Sequence, residues 1–245
     1  MKILLSPTKK MRREEVLTPW GEPVFLNNAK QVIDSLKALT PEERRTVWHC
    51  SEKLAKENEE RLAHMDLCHG ISPALFSYCG LAFTHIAPDA LEDDALAYLQ
   101  DHLRILSAVY GVLKPMDGIV SYRLEMEVPL SVQGSGTLYD YWNDRLARHL
   151  EEDDDVIVNL ASKEYADAVC PHLSRARCIQ IEFLHEHNGK FVTKATYAKM
   201  ARGDMVQWLA RNQIEDVNEI RRFAEGYRFD ESSSDENRYI FLMTR

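Results

Sequence analysis

Apolar positions recur along the chain at two spacings, which divide it into helices and short strands. Residues 28–39 place Val32, Ile33, Leu36 and Leu39 at the intervals of one buried helix face. Thr40-Pro41-Glu42-Glu43 follows as a capping box, with proline at the first helical position, and predicts a long charged helix toward Met65. Ser72-Pro73 opens a short helix through Tyr78, and 91–102 is a further amphipathic segment with Leu96, Leu99 and Leu103 on one side. Short runs rich in β-branched or aromatic residues predict strands at 2–5, 104–107, 156–160, 178–184, 190–197 and 239–243. Asn188-Gly189 suits a type I′ turn, whose two central residues need positive φ, so 178–197 should be a hairpin. Helices between the early strands and a late hairpin imply an α/β chain with a mixed sheet flanked by helices. No repeat or Gly/Ser-rich linker divides it, so residues 1–245 are expected to form a single interwoven domain.

Composition narrows the class. Of the 245 residues, 45% are hydrophobic and 28% charged, which excludes intrinsic disorder and small disulfide scaffolds. The five cysteines are odd in number and form no CxxC pair, which fits reduced thiols in a cytoplasmic protein. The apolar run after Met1-Lys2 is three residues long, too short for a signal peptide or a span, so no membrane association is expected. The net charge of −9 disfavours indiscriminate contact with polyanions, so any nucleic-acid or phosphate role needs a local basic patch.

Three predicted strands end alike, at Ser6, Ser107 and Ser162, and a lysine follows each: Lys9, Lys114 and Lys163. In a parallel sheet their carboxyl ends would share one crevice, where serines, amides and lysines could hold phosphate. Ser162 would stand at the N-terminus of a helix over 163–169, a favourable place for an anion. The same serines would also serve as turn or cap residues beside solvated lysines. In Tyr122-Arg123-Leu124-Glu125-Met126-Glu127, polar and apolar residues alternate, placing Arg123 and Glu125 on one face of an extended segment. An ordinary solvent-facing strand has that pattern too. The turn-rich loop before it carries Lys114 and Asp117. Lys194, Lys199, Arg202 and Arg211 interleave with Tyr197 and Trp208, and Lys9, Lys10, Arg12 and Arg13 cluster near the start. Such mixtures contact phosphates and stack bases, and they also occur where a cationic helix covers a core. The acidic run 151–155 reads as a solvated loop. His49, Cys50, His64, Cys68 and His69, and separately His185 and His187, match no metal-binding pattern, so no metal and no cofactor is expected. Glycine-rich phosphate-loop, HExxH and GxSxG motifs are absent.

Five blocks in order, KILLSPTKKM, LRILSAVYGVLKPMDGIVSYRLEME, LYDYWND, VIVNLASKEY and YAKMARGDM, make the chain resemble the peroxide stress protein YaaA family nearly end to end. The resemblance implies a cytosolic α/β protein of peroxide defence, associated with lowered free iron and less iron-dependent damage. It also implies DNA contact, a positively charged cleft and a helix-hairpin-helix element. Here that element would flank Leu39-Thr40-Pro41, although the glycines usual in such hairpins are missing. The family pattern falls on Ser6, Pro7, Lys9, Tyr110, Gly111, Pro115, Asp117, Tyr122, Arg123, Glu125, Met126, Asn159, Ser162, Glu164, Tyr165, Arg202 and Gly203. Thr8, Lys10, Ala108, Lys114 and Met200 depart from it. Ala108 suggests that no positive φ is needed at that position.

Three functions are open. The leading one is DNA binding with little sequence discrimination, on duplex or partly unpaired DNA, by Ser6, Lys9, Lys10, Lys114, Arg123, Ser162, Lys163, Lys199 and Arg202. The alternative is an enzyme acting on a damaged base, a nucleotide or another small phosphorylated ligand. In it Lys9 would be the nucleophile and Glu125 or Asp117 the acid or base, beside Tyr122 and Arg123. Iron sequestration by carboxylates and histidines ranks last.

Overall fold

The most apolar runs of the chain lie side by side. In a computed structural model that describes residues 1–69 and 71–244, β1 (Lys2–Leu5) sits at the centre of an eight-stranded sheet. The remaining elements follow in chain order. β2 (Lys10–Met11), α1 (Leu26–Ala38), α2 (Pro41–Trp48), α3 (Glu52–Ala63), β3 (Ser72–Pro73), α4 (Ala74–Ser77), β4 (Tyr78–Cys79), α5 (Leu81–Ile86) and α6 (Asp93–His102) make up the first half. Next are β5 (Leu103–Ser107), β6 (Gly111–Leu113), β7 (Gly118–Ile119), α7 (Leu138–Trp142), α8 (Arg145–Asp153), β8 (Val156–Asn159) and α9 (Lys163–Ala166). β9 (Arg177–His187), β10 (Lys190–Val192), α10 (Ala195–Arg211), β11 (Tyr227–Phe229) and β12 (Arg238–Met243) complete the chain.

The strand order β11-β12-β9-β8-β1-β5-β6 is parallel from β12 to β5, with antiparallel pairs at both edges and β10 paired to β9. β5 is buried at every residue, as a central parallel strand covered on both faces must be. β9 instead buries alternate residues, Ile179, Ile181, Phe183 and His185, so its other face meets solvent, where Glu182 takes both guanidinium donors of Arg238 at 2.8 Å. From β1 the chain crosses to β5 on one side and returns to β8 on the other, so the strand order reverses at β1. In open α/β sheets ligands bind in the crevice beyond the strand ends at such a point.

The predicted elements hold with specific exceptions. Asn188 (φ 52) and Gly189 (φ 72) form the expected tight turn, but the returning arm stops at Val192, and residues from 195 onward belong to α10. The long helix after the capping box is two helices. His49 adopts the left-handed conformation (φ 41) and returns its N–H to Arg45 and Thr46, and Ser51 then caps α3. Residues 122–127, absent from the predicted strands, join no sheet, yet their alternation holds: Tyr122, Leu124 and Met126 are buried while Arg123 and Glu125 are partly exposed. The acidic run is not a solvated loop. It ends α8, where the buried Glu151 carboxylate accepts the amides of Ser174, Arg175 and Ala176 at 2.6–2.9 Å, which hold it down at about 2. Asp153 pairs with buried Arg104 at 3.1 Å and Asp154 with the Met1 amine.

The helix-hairpin-helix expected around Leu39-Thr40-Pro41 finds no support in the α1–α2 junction. Thr40 accepts the Glu43 amide and the Glu43 carboxylate accepts the Thr40 amide, so side chains already occupy donors that a phosphate would need. Glu42 and Glu43 add negative charge there. Among the described residues no helix is long and apolar enough to cross a membrane.

Candidate functional site

The carboxyl ends of β1 and β8 are fastened together by two hydroxyls. Ser6 Oγ accepts the amide of Ser162 at 2.7 Å and donates to Ser162 Oγ at 3.0 Å. Above this joint opens a cleft of about 460 Å3, lined by residues 5–10 and 79–82, Leu124, Glu125, Leu160, Ser162, Glu164, Tyr165, Lys199 and Arg202. That volume lies in the range of small-ligand sites, ~300–1,000 Å3.

The far wall is α10, set against α5 by Gly203. A Cβ at Gly203 would stand 2.2 Å from the Ala82 carbonyl oxygen, so only glycine allows this approach. One residue earlier, Arg202 lines the cleft. Its Nε is sealed from solvent and has no hydrogen-bond partner among the described residues, and burial weighs against its charge. A buried donor left unpaired costs ~1–3 kcal/mol. Lys10 and Lys199 are exposed at the rim.

The opposite wall is acidic as well as basic. Lys9 Nζ lies 2.6 Å from the Glu125 carboxylate, which also meets Arg123 Nη2 at 3.1 Å. The Arg123 and Glu125 side chains remain 18% and 25% exposed, so the pair is sheltered, neither fully buried nor a solvent-facing strand edge. Arg123 does not line the cleft and acts on it through Glu125. Beside them the Glu164 carboxyl accepts the Met126 amide at 2.9 Å. Burial pushes Glu164 upward, the charges of Glu125 and Glu127 push it the same way, and the Met126 amide opposes them.

Several expected members lie elsewhere. Ser107 is fully buried. Its Oγ accepts the amides of Val109 and Tyr110 and bonds Tyr122 OH at 2.7 Å, so it caps its own turn and does not face the crevice. Tyr122 is buried with it, pushed up to about 12 by desolvation and linked to Tyr78 OH at 2.8 Å. It supports the wall from behind and does not open into the cleft. Lys114 and Asp117 line a separate hollow of about 420 Å3 with Trp20 and Arg104, where the Lys114 amide binds Asp117 Oδ2 at 2.8 Å. Lys163, the first residue of α9, is 87% exposed and pairs with Asp167 just after the helix, outside the cleft lining. α9 spans four residues, not 163–169, which leaves Ser162 little helix dipole to exploit. Cys79, Gly80 and Leu81 line the cleft without any signal in the motif spacing, whereas Glu164 and Tyr165 were marked by the block VIVNLASKEY. The candidate metal-binding histidines and cysteines form no group of three ligands among the described residues.

The matched family decides the assignment. A model described as "Peroxide stress protein YaaA" matches residues 1–233. The chain belongs to the YaaA family. Similar proteins include the UPF0246 protein of Lactiplantibacillus plantarum, 45% identical over 245 residues with 99% of each chain covered. That of Agathobacter rectalis is 43% identical over 244 residues with 98% of each covered. That of Limosilactobacillus reuteri is 40% identical over 249 aligned positions and covers both chains fully. Of the positions on which the resemblance falls, Ser6, Pro7, Lys9, Glu125, Ser162, Glu164, Tyr165 and Arg202 line the cleft, while Tyr110, Gly111, Pro115 and Asp117 do not. Tyr110 OH accepts the Val120 amide, and Asn159 bridges to Gln180 at 2.6 Å; both are framework contacts. Of the departures named above, Lys10 lies on the cleft lining and Met200 falls outside it. Ala108 is buried with no positive φ, as expected.

Proposed function

We propose that this member of the peroxide stress family binds DNA through the cleft at the ends of β1 and β8, with one unpaired nucleotide in the cavity and the flanking phosphates on its rim. The observation that carries the reading is Arg202, which lines a cavity of small-ligand size and whose buried Nε has no hydrogen-bond partner among the described residues. Lys10 and Lys199 extend the positive edge, and Lys9 supplies a cation already offset by Glu125. With the net charge at −9, long-range attraction is weak and binding is a contact effect. Three uncompensated cations give an expected salt slope of about −2 to −3 in log K against log [salt]. Occupying exposed DNA would shield it from iron-dependent damage during peroxide stress.

One observation favours a second reading, an enzyme acting on a nucleotide or another phosphorylated small molecule. Glu164 is pushed toward its protonated form beside Glu125 and faces the same volume as Arg202, an acid next to an anion site. Titrating duplex and gapped DNA at several salt concentrations separates the two. Salt-sensitive binding that favours gapped DNA supports the first reading. Folded protein that binds neither form at low salt removes it and leaves the small-molecule enzyme.

A further inference from the structure

Two of the five cysteines meet at a place unconnected with the cleft lining. Cys170 opens the 3-10 turn Cys170–His172 behind α9, and Cys178 is the second residue of β9, paired in register with Ile157 of β8. Their sulfur atoms are 3.1 Å apart. Only ~1 Å of further approach separates that contact from a disulfide, whose S–S bond is about 2.05 Å. Both cysteine residues are partly exposed, and hydrogen peroxide is a small molecule.

We propose that Cys170 and Cys178 form a dithiol that hydrogen peroxide oxidises to an intramolecular disulfide. The hydrogen bond from the Cys170 thiol lowers the pKa of Cys178, and the thiolate is the nucleophilic form, so Cys178 attacks first. Its sulfur bonds to one peroxide oxygen, the O–O bond breaks, and hydroxide leaves and takes up the proton released when Cys178 ionised. Cys178 is then a sulfenic acid. The Cys170 sulfur attacks it, the S–S bond forms, the S–O bond breaks, and a second water leaves with the Cys170 proton. Two thiols lose two electrons and one peroxide becomes two waters. The new bond ties the turn at Cys170 to β9, and with it the segment that leads back through α9 to Ser162. Thiol reductants reverse it.

The test treats the reduced full-length protein with hydrogen peroxide, blocks the remaining thiols and maps the peptides. The expected result is a fall from five free thiols to three in a monomer, one linked peptide joining Cys170 to Cys178, and full recovery with dithiothreitol. In Cys170→Ser, Cys178 should stop at a sulfenic acid that dimedone traps; in Cys178→Ser, Cys170 should stay reduced at the same dose. Oxidation confined to exposed Cys68, or links that join other cysteines or two chains, would overturn the proposal. The wild-type map decides the matter even if a variant fails to fold.

Discussion

Ser6 Oγ and the Ser162 amide, 2.7 Å apart, join strand ends separated by 156 residues of sequence. The same oxygen donates to Ser162 Oγ, so one hydroxyl satisfies both groups at the floor of the cleft. Ser6→Ala removes both bonds and leaves the Ser162 amide without its partner, with an expected loss of ~1–3 kcal/mol. Denaturant midpoints measure this, and DNA affinity should fall with it because the floor loosens.

Glu125 restrains two cations, Lys9 at 2.6 Å and Arg123 at 3.1 Å. All three groups keep contact with solvent, so Glu125→Gln should change stability by no more than ~1 kcal/mol. Under the binding reading it removes a negative charge from beside the phosphates, tightens DNA binding and steepens the salt slope by about one phosphate contact. Under the enzyme reading the same substitution abolishes turnover. Anisotropy titrations and a turnover assay on one preparation tell these outcomes apart.

Asp117 gives a pH signature independent of the cleft. Burial pushes its carboxyl from 3.8 up to about 6, against the opposing Lys114 amide. The folded state therefore binds more protons than the unfolded state between these values, and stability falls as pH rises from about 4 to about 6. The contribution is on the order of 2–3 kcal/mol. Depressed carboxyls such as Glu151 act in the opposite direction, their stabilisation being lost as pH falls below 4.5 toward about 2. Comparing Asp117→Asn with wild type isolates the Asp117 effect: wild type should lose ground to the variant between about pH 4 and about pH 6. Parallel stability curves would contradict the assignment.

Gly203 sets the distance between α10 and α5. Gly203→Ala places a methyl 2.2 Å from the Ala82 oxygen, a backbone atom that cannot swing aside. The expected cost is at least ~2 kcal/mol, with displacement of Arg202 and weaker DNA binding. Thermal unfolding and anisotropy check the two effects separately.

Legibility in the sequence varied with the physics behind each signal. Apolar runs identified the parallel core strands because burial on both faces demands them, and Asn188-Gly189 identified its turn because few residues accept two consecutive positive φ values. The break between α2 and α3 was hidden because His49, not glycine, takes the left-handed position. The two-residue strands β2, β3, β4 and β7 are too short for any periodicity. At the site, the shared strand endings led to Ser6 and Ser162 because β1 and β8 are neighbours. β5 is equally close to β1, but Ser107 turns its hydroxyl to its own turn, a rotamer choice that spacing does not encode. Lys114 and Asp117 were grouped with Arg123 by nearness along the chain, and the intervening β7 carries them to another hollow.

The proposed phosphate site in the cleft turns on Arg202. The most direct measurement is the affinity for gapped DNA at low and moderate salt of wild type, Arg202→Met and Lys114→Met, each verified as folded. At least a ~10-fold loss is expected for Arg202→Met, which corresponds to ~1.4 kcal/mol, and little change for Lys114→Met, which lines the separate hollow. Equal affinity of Arg202→Met and wild type, or a larger loss at Lys114, would contradict it.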